Sequence, residues 1–350
     1  MDVIIVGASG YSGLELIRLL LQHPEIDNMH LFAHSQKHQS ILEVFPHLRD
    51  RTDNKVEQLS DLDSKKLEEL KTKTDIVFFA TPSAVSKDWG KTFLKYGFKV
   101  IDLSGDYRLK NPKDYCEWYH FEHPNADLLK QAVYGLPEWF FQDIKEADYI
   151  ANPGCYATSI LLALAPLFKE KLSISSIIID AKSGVSGAGK GFNKNTHYSE
   201  VNENLKVYKV GEHQHIPEIE QILSEIGNFK VTVQMIPHLI PMTRGILSTI
   251  YVDLDTELTY SDLSEIYQMH YKEKAFVRLR PEGEYPETKH VYGTNYCDIG
   301  FYVDKRSNRL IIFSAIDNLM KGAAGQAVQN LNIIMGWDEQ LGLKFIPIYP

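Results

Sequence analysis

The chain of 350 residues has only three cysteines, Cys116, Cys155 and Cys297, and they lie far apart. They form neither a C-x-x-C motif nor a zinc quartet, so we expect neither a disulfide scaffold nor a bound metal. No apolar run approaches the roughly 20 residues that a membrane-spanning helix needs. The predicted first strand starts at residue 2, and no basic segment typical of a signal peptide precedes it. The net charge of the chain is −9. We therefore expect a cytoplasmic protein with neither membrane nor nucleic-acid partners.

The order of elements predicts an α/β fold with two domains. Strands and helices alternate in the first part, which predicts a twisted parallel sheet. Later strands are longer and amphipathic, which indicates an α+β domain with a mostly antiparallel sheet. The predicted domains are 1–150 plus 316–350, and 151–315. The predicted strands are 2–6, 29–33, 75–80, 99–103, 174–181, 229–236, 245–254, 299–303 and 310–315. The predicted helices include 65–70, 83–96, 159–168 and a final helix over 317–335, which should pack on the first domain.

A glycine-rich turn follows the first strand. Gly7, Gly10 and Gly13 have the spacing G-x-x-G-x-x-G between a strand and an apolar helix. Such glycines let the backbone approach a pyrophosphate, which the helix N-terminus then holds. The alternative is an ordinary strand-to-helix turn, but the context favours a dinucleotide site. Its expected contacts are Gly7, Ser9, Gly10, Tyr11, Ser12 and Gly13.

The end of the second strand distinguishes NADP from NAD. An NAD site usually has Asp or Glu there for the ribose 2′-hydroxyl. Residues 34–38 (His-Ser-Gln-Lys-His) contain no carboxylate. The hydroxyl of Ser35 and the ammonium of Lys37 could instead bind the ribose 2′-phosphate of NADP. We therefore predict NADP as the cofactor.

A second glycine-rich stretch, 184–190, resembles a P-loop after a strand. Gly191 stands where Ser or Thr should hold magnesium, and no apolar helix follows. A nucleoside triphosphatase is therefore not expected. A loop whose N–H groups hold an anion fits better.

Cys155 follows a Pro-Gly turn and precedes an apolar helical segment. A thiol at a helix N-terminus is surrounded by unpaired N–H groups, which favour the thiolate. The alternative is a buried structural cysteine. Cys116 and Cys297 have no comparable setting.

A nucleophilic thiol needs a base, and a pair of histidines could supply it. His213, His215 and Glu218 lie within one short segment that Pro217 marks as a helix start. A histidine can move protons near neutral pH. The alternative is a surface or metal-binding pair, but no third ligand is obvious from the spacing.

Together these motifs resemble the N-acetyl-gamma-glutamyl-phosphate reductase family, in order along nearly the whole chain. Further segments carry the match: 102–108 (DLSGDYR), 133–137 (VYGLP), 152–158 (NPGCYAT), 183–189 (SGVSGAG), 213–218 (HQHIPE), 241–245 (PMTRG) and 317–326 (DNLMKGAAGQ). The sequence departs from the family at Gln36 and Gln214, where Arg is common, and at Ser159, where Gly or Ala is common.

The resemblance implies a Rossmann domain and a catalytic domain like that of aspartate-semialdehyde dehydrogenase. It implies NADPH-dependent reduction of an acyl phosphate in arginine biosynthesis, through a thioester on Cys155. His213 or His215 would manage protons, with preference for His213, and Glu218 would orient it. Further cofactor contacts are expected at Ser183, Gly184 and Asn318. Substrate contacts are expected at Arg108, Arg244, Asn152 and Ser186. For either arginine the alternative is an ordinary surface salt bridge.

Several alternatives stay open at this point. The acyl group on the substrate nitrogen, acetyl or succinyl, is not readable from the residues. An aspartyl-phosphate reductase and a non-catalytic NADP-binding regulator are the rival functions. The family suggests a homodimer or homotetramer.

Overall fold

The computed structural model describes residues 1–33 and 39–349. They form two compact units. The first comprises Met1–Pro153 and Ala323–Lys344, and the second comprises Gly154–Gly322 and the tail from Phe345. The sequence predicts residues 316–322 and the tail from Phe345 in the first domain, whereas in the structure they lie in the second unit. The tail is attached there because the Ile348 N–H donates to the Tyr292 carbonyl over 3.2 Å.

The described part of the first unit contains an eight-stranded sheet in the order β3-β4-β2-β1-β5-β6-β8-β7. Its pairs are parallel except β3 against β4. The strands are β1 (Asp2–Val6), β2 (Asn28–Ala33), β3 (Gln39–Ser40), β4 (Lys55–Gln58), β5 (Ile76–Phe79), β6 (Lys99–Asp102), β7 (Val133–Tyr134) and β8 (Tyr149–Ala151). The helices are α1 (Tyr11–Leu20), α2 (Ile41–Val44), α3 (Ser64–Lys71), α4 (Ser86–Lys95), α5 (Pro112–Trp118), α6 (Ala126–Gln131) and α7 (Pro137–Glu146).

The central strands of this sheet are apolar on both faces. All four residues of β5 are buried, as are the last four of β1. Such continuous apolar runs are typical of parallel strands covered by helices on both sides. This confirms the predicted parallel sheet.

The second unit contains a seven-stranded sheet in the order β10-β11-β9-β12-β15-β14-β13. Four of its pairs are antiparallel, and β11 with β9 and β13 with β14 are parallel. The strands are β9 (Ile174–Gly184), β10 (Lys206–Val207), β11 (Gln234–Ile240), β12 (Ile246–Leu254), β13 (Val277–Leu279), β14 (Cys297–Asp304) and β15 (Arg309–Ile316). The helices are α8 (Cys155–Lys169), α9 (Tyr198–Val201), α10 (His215–Gly227) and α11 (Tyr260–Tyr271). The predicted mostly antiparallel sheet is thus confirmed.

Helix α8 is the core helix of the second unit. Every residue from Tyr156 to Phe168 is buried, and the helix packs on β12, β14 and β15 as well as on α10 and α11. A helix that is apolar all round must be enclosed in this way. Thr158 and Ser159 are polar exceptions: the Thr158 hydroxyl donates to the Gly154 carbonyl, and the Ser159 hydroxyl lies 3.0 Å from the hydroxyls of both Ser248 and Ser314. The hydroxyl at this departure from the family pattern is therefore satisfied inside the core.

The last helix, α12 (Gly325–Ile334), packs against α1 and α7 in the first unit. It is shorter than the predicted 317–335. Asp317 precedes the helical segment and caps its start, because its carboxylate accepts the N–H groups of Leu319 and Met320. A π-helical turn, Met320–Ala324, then leads into α12.

Two other predicted bounds were wrong. The strand predicted at 229–236 begins only at Gln234, and the Val231 N–H instead bonds to the Ser224 hydroxyl. The helix predicted from Ser83 begins at Ser86. Ala84 has a φ of +73°, which a right-handed helix cannot contain.

Within residues 1–33 and 39–349, no helix is both long and apolar enough to cross a bilayer. No group of three or more histidine, cysteine or acidic side chains in these ranges is arranged to hold a metal ion.

Two carboxylates are buried together after the carboxyl end of β6. Asp102 and Asp106 both lie within 3.0 Å of the Ser86 hydroxyl. Burial, and then the charge of Asp102, raises the pKa of Asp106 to about 6. Burial also raises the pKa of Asp102. An ionised Asp106 is therefore less stable in the fold than in the unfolded chain.

We predict that Asp106→Asn stabilises the protein progressively as the pH rises. The pKa of Asp106 is 3.8 in an ordinary environment and about 6 in the fold. Its ionisation in the unfolded chain therefore lowers wild-type stability between about pH 4 and pH 7, by up to about 3 kcal/mol. The measurement is the free energy of unfolding in urea at pH 5 and pH 8. Asp127→Asn, at an exposed residue of the same unit, is the control. An equal effect of Asp106→Asn at both pH values would contradict this prediction.

Candidate active site

Cys155 is the first residue of α8, with Gly154 at the N-cap position, and it is partly buried. The N-cap residue is a glycine and has no side chain of its own with which to cap this helix end. The N–H groups of the first turn and the positive end of the helix dipole therefore face the neighbourhood of the thiol. Such a setting stabilises a thiolate.

The backbone before the thiol is held by Glu218 of α10. Its carboxylate is fully buried, and Oε1 accepts the Gly154 N–H over 2.8 Å. The imidazole of His215 packs directly against Gly154, so that a Cβ there would overlap Nε2 of His215. Only glycine fits between the cysteine and the histidine. Three predicted site residues, Cys155, His215 and Glu218, thus come together at one helix end.

Gly322 makes the second close approach to the cysteine. A Cβ at this position would lie 2.8 Å from the Cβ of Cys155, which is too short for a real contact. Glycine therefore lets the chain after Asp317 pass beside the thiol. Gly322 was not among the predicted site residues.

His213 lies next to His215 but in a different environment. Its Nδ1 accepts the His215 backbone N–H over 3.2 Å, and the two rings are 4.6 Å apart. The rings of Tyr156 and Tyr208 stand edge-on to it at 5.4 and 5.8 Å. Burial, reinforced by the charges of His215 and Lys209, lowers the pKa of His213 to about 2. His213 is therefore neutral at any physiological pH.

The two tyrosines form a hydrogen-bonded chain. The Tyr208 hydroxyl donates to that of Tyr156 over 3.3 Å, and Tyr156 donates to the His238 carbonyl. Burial raises the pKa of Tyr208 to about 12, and a charge on Cys155 adds to that rise. Burial, then the interaction with Tyr208, and to a smaller extent the charge of Cys155 raise the pKa of Tyr156. Both tyrosine side chains therefore stay uncharged, and both lie near enough to Cys155 for its charge to affect their pKa.

The glycine-rich loop after β9 is tied to the Thr243–Gly245 turn. The Ser186 N–H donates to the Thr243 carbonyl over 3.0 Å. The Asn318 side chain joins the two segments, because it donates to the Ser186 hydroxyl and accepts the Gly245 N–H. A Cβ at Gly184 would lie 2.7 Å from the Thr243 carbonyl oxygen. Ser183 is buried beside it.

Arg244 projects from that turn. Its Nη1 lies 3.3 Å from Oδ2 of the fully buried Asp317, and its guanidinium lies over the Tyr292 ring. Asp317 also accepts the Gly293 N–H. These contacts hold a cation that is only partly exposed, which suits recognition of an anionic group.

The dinucleotide loop lies in the first unit, between β1 and α1. No side chain caps the first turn of α1, where Tyr11 and Ser12 lie. Side chains at Gly7 and Gly13 would collide with the carbonyl oxygens of Ala80 and Gly7. Beside this loop the Thr81 hydroxyl is buried without a hydrogen-bond partner among the described residues. An open helix end and an orphaned hydroxyl fit the pyrophosphate side of a nicotinamide dinucleotide.

Ser9 and Gly10 are partly exposed in the same loop. Ser35 and Lys37, the residues expected at the 2′-phosphate, lie outside the described residues, as does Gln36.

Arg108 and Asn152 also lie in the first unit. Arg108 is buried, and its Nε and Nη2 donate to the carbonyls of Asn152 and Leu103, each over 2.8 Å. The Asn152 amide donates to the Ala323 carbonyl and accepts from the Asn330 side chain. These bonds fix the segment after β8. Substrate binding by either residue stays a prediction.

Sequence reasoning missed Tyr208, Asp317 and Gly322 as parts of the site. Tyr208 and Gly322 are far from Cys155 in sequence, and nothing in their local pattern marks them. Asp317 stands at a visible change from strand to helix, but its pairing with Arg244 depends on the tertiary fold. Thr81, which follows β5, was detectable as a polar residue at the carboxyl end of a parallel strand.

Comparison with known proteins supports one family. The sequence-family model of the semialdehyde dehydrogenase NAD-binding domain matches residues 2–147. The family model of the semialdehyde dehydrogenase dimerisation domain matches residues 155–318. The chain is 52% identical to the N-acetyl-gamma-glutamyl-phosphate reductase of Geobacillus thermodenitrificans over the full length of both. It is 47% identical to that of Bacillus subtilis, again over both full lengths. These matches indicate an oxidoreductase that uses a nicotinamide cofactor.

Solved structures agree on the fold. Aspartate semialdehyde dehydrogenase II of Vibrio cholerae superposes with a TM-score of 0.71 at 18% identity, covering 96% of this chain and 98% of that one. The Candida albicans enzyme, crystallised with NADP, gives 0.69 at 16% identity, covering 95% and 98%. On its full-length identity to curated relatives, the chain belongs to the N-acetyl-gamma-glutamyl-phosphate reductase family of semialdehyde dehydrogenases.

Proposed function

We propose that this protein reduces N-acetyl-gamma-glutamyl phosphate to N-acetyl-glutamate 5-semialdehyde and phosphate with NADPH, as a step in arginine biosynthesis. The substrate is the one that the names of the full-length relatives print. The observation that carries the proposal is Cys155 at the open end of α8, with His215 packed against the preceding residue.

The first chemical step belongs to Cys155. Its thiolate attacks the acyl carbon, a carbon–sulfur bond forms, and the bond to the phosphate oxygen breaks. The products are a thioester on Cys155 and free phosphate. The positive end of the α8 dipole stabilises the attacking sulfur, and covalent catalysis divides a difficult reduction into two easier steps. Glu218 keeps the helix start in place through the Gly154 N–H.

The second step regenerates the thiolate. NADPH, when bound, supplies the hydride that reduces the thioester carbonyl. The resulting thiohemiacetal on Cys155 then collapses, its carbon–sulfur bond breaks, and the aldehyde leaves. A proton-carrying group near the sulfur assists both the formation and the collapse of this intermediate.

We assign the proton transfer to His215 rather than to His213, although the sequence favoured His213. His215 lies against Gly154, directly beside the cysteine. His213 lies two residues before His215, outside α10, and burial lowers its pKa to about 2. A group with so low a pKa cannot hold a proton for transfer near neutral pH. His213 instead accepts the His215 N–H and orients that segment.

The anionic groups of the substrate need fixed positive partners. Arg244 is the candidate in the second unit, because Asp317 and Tyr292 hold its guanidinium at a partly exposed position. The loop 183–189 supports this position, because the N–H groups of Gly184, Val185 and Ser186 donate to backbone carbonyls of the segment 242–245. We further propose NADP specificity through Ser35 and Lys37, and assembly into a homodimer or homotetramer through the second unit.

We predict that Cys155→Ser abolishes reduction and leaves NADPH affinity within about twofold of wild type, because the thiol belongs to the chemistry rather than to the dinucleotide loop. Steady-state turnover and NADPH fluorescence titration measure the two effects. Cys116→Ser, at an exposed cysteine, is the control and should retain full activity. Turnover by the Cys155→Ser variant at the wild-type rate would refute the proposed chemistry.

The two histidines should separate in a pH–rate profile. His215→Asn should lower kcat by about 10²–10⁴-fold and remove the ionisation near neutral pH from the profile. His213→Asn should keep that ionisation, because the pKa of His213, about 2, lies outside the assayed range. Profiles between pH 5.5 and 9 are measured on both variants. Loss of the neutral ionisation in the His213 variant alone would reverse the assignment.

Substrate and cofactor preferences follow from the family and from the carboxylate-free segment 34–38. In the reverse direction, with phosphate, N-acetyl-glutamate semialdehyde should give a higher kcat/KM than its N-succinyl analogue or aspartate semialdehyde. NADP⁺ should be used at least tenfold better than NAD⁺, because no carboxylate pairs with a ribose 2′-hydroxyl. Formation of reduced cofactor is followed at 340 nm. Preference for aspartate semialdehyde, or equal use of the two cofactors, would count against the respective assignment.

A further inference from the structure

A basic groove in the second unit is not used by the proposed chemistry. We define the basic groove by Arg278, Arg280, Lys289 and His290 together with the tail residues 346–349. It is open to solvent and has a volume of about 320 Å³, enough for a small molecule rather than a single ion. None of these residues takes part in the contacts that surround Cys155.

The positive charges of the basic groove are unequally neutralised. Arg278 is fully engaged, because Nε lies 2.6 Å from Asp298 and Nη2 donates to the His290 carbonyl. Arg280 shares Asp298 at 3.7 Å and reaches the exposed Glu284 at 3.2 Å. Lys289 has no acidic partner among the described residues, and its ammonium lies over the Tyr349 ring.

Two buried nitrogen atoms of the basic groove also have no partner. Nε of Arg280 and Nδ1 of His290 are inaccessible to solvent, and neither makes a hydrogen bond within the described part of the chain. A buried polar group without a partner costs about 1–3 kcal/mol, so natural proteins satisfy such groups with water or a ligand. Both residues line the basic groove together with Lys289. The Arg280 N–H needs an acceptor oxygen, and His290 Nδ1 donates to the same oxygen when it carries the proton.

The other wall of the basic groove is apolar and aromatic. Ile346 and Tyr349 line it, and the Tyr349 ring is 6.3 Å from that of His290. Backbone bonding of Ile348 to Tyr292 keeps the tail in place. A ligand here would therefore meet cations on one side and an aromatic surface on the other.

We propose that the basic groove binds a small oxyanion, a phosphate or carboxylate group on a compact molecule, at a site separate from Cys155. The oxyanion accepts hydrogen bonds from Arg280 Nε, Lys289 and a protonated His290 nitrogen. The apolar part of the ligand lies against Ile346 and Tyr349. This inference does not depend on the proposed reaction.

The test uses the full-length protein with inorganic phosphate and glutarate as probes at constant ionic strength. Isothermal titration calorimetry measures each affinity, and crystals soaked in tungstate locate the anion by its anomalous signal. We expect a tungstate peak between Arg280 and Lys289. Lys289→Gln and Arg280→Lys should each weaken phosphate or glutarate binding about tenfold, the loss of one charge-assisted hydrogen bond. Arg280→Lys retains the charge but removes the buried Nε–H.

Lys305→Gln, at an exposed lysine on the β14–β15 turn of the same unit, is the matched control and should bind as wild type. Absence of a peak in the basic groove overturns the proposal, as does unchanged affinity in both groove variants. A changed mass by light scattering in Lys289→Gln, without changed affinity, also overturns it. That result would assign the groove to contact between copies of the chain.

Discussion

The close packing around the first turn of α8 is the constraint on which the site depends. Gly154 leaves no space between the helix start and His215, and Gly322 leaves none beside Cys155. The Glu218 carboxylate fixes the same point by accepting the Gly154 N–H. Because α8 is buried along the rest of its length, this helix end cannot move independently of the core. The cysteine therefore sits at a rigid position with a helix dipole behind it.

This arrangement gives different roles to His213 and His215, which the sequence alone does not distinguish. His215 borders the backbone next to the thiol, whereas His213 is enclosed by Tyr156 and Tyr208 and stays neutral. The enclosed ring supports its neighbour by accepting the His215 N–H. A single buried hydrogen bond of this kind contributes about 1 kcal/mol, enough to select one orientation of the segment. Both rings are buried, so contact with Gly154, rather than burial or residue type, distinguishes the proposed proton carrier from its support.

Much of the fold was predictable because local patterns and tertiary packing agree. The buried run of β1, the glycine turn and the apolar α8 each predict what forms. Failures occurred where a polar contact overrides the pattern. The last helix was predicted to include Asp317, but that residue caps the helical segment from outside, because its carboxylate accepts two backbone N–H groups that follow it. In the site, Cys155 was readable from its turn and helix, but the roles of His213 and His215 were not. These two residues differ in the neighbours that the tertiary fold gives them: His215 packs against Gly154, and His213 lies between two tyrosine rings.

The central claim is that an acyl group is carried on the sulfur of Cys155. The direct measurement is mass spectrometry of the protein after brief incubation with the acyl phosphate and without cofactor, followed by peptide mapping. The account predicts one added acyl group, located on the peptide that contains Cys155 and released by hydroxylamine. An unmodified Cys155 peptide in protein that turns over the same acyl phosphate when NADPH is present would contradict it.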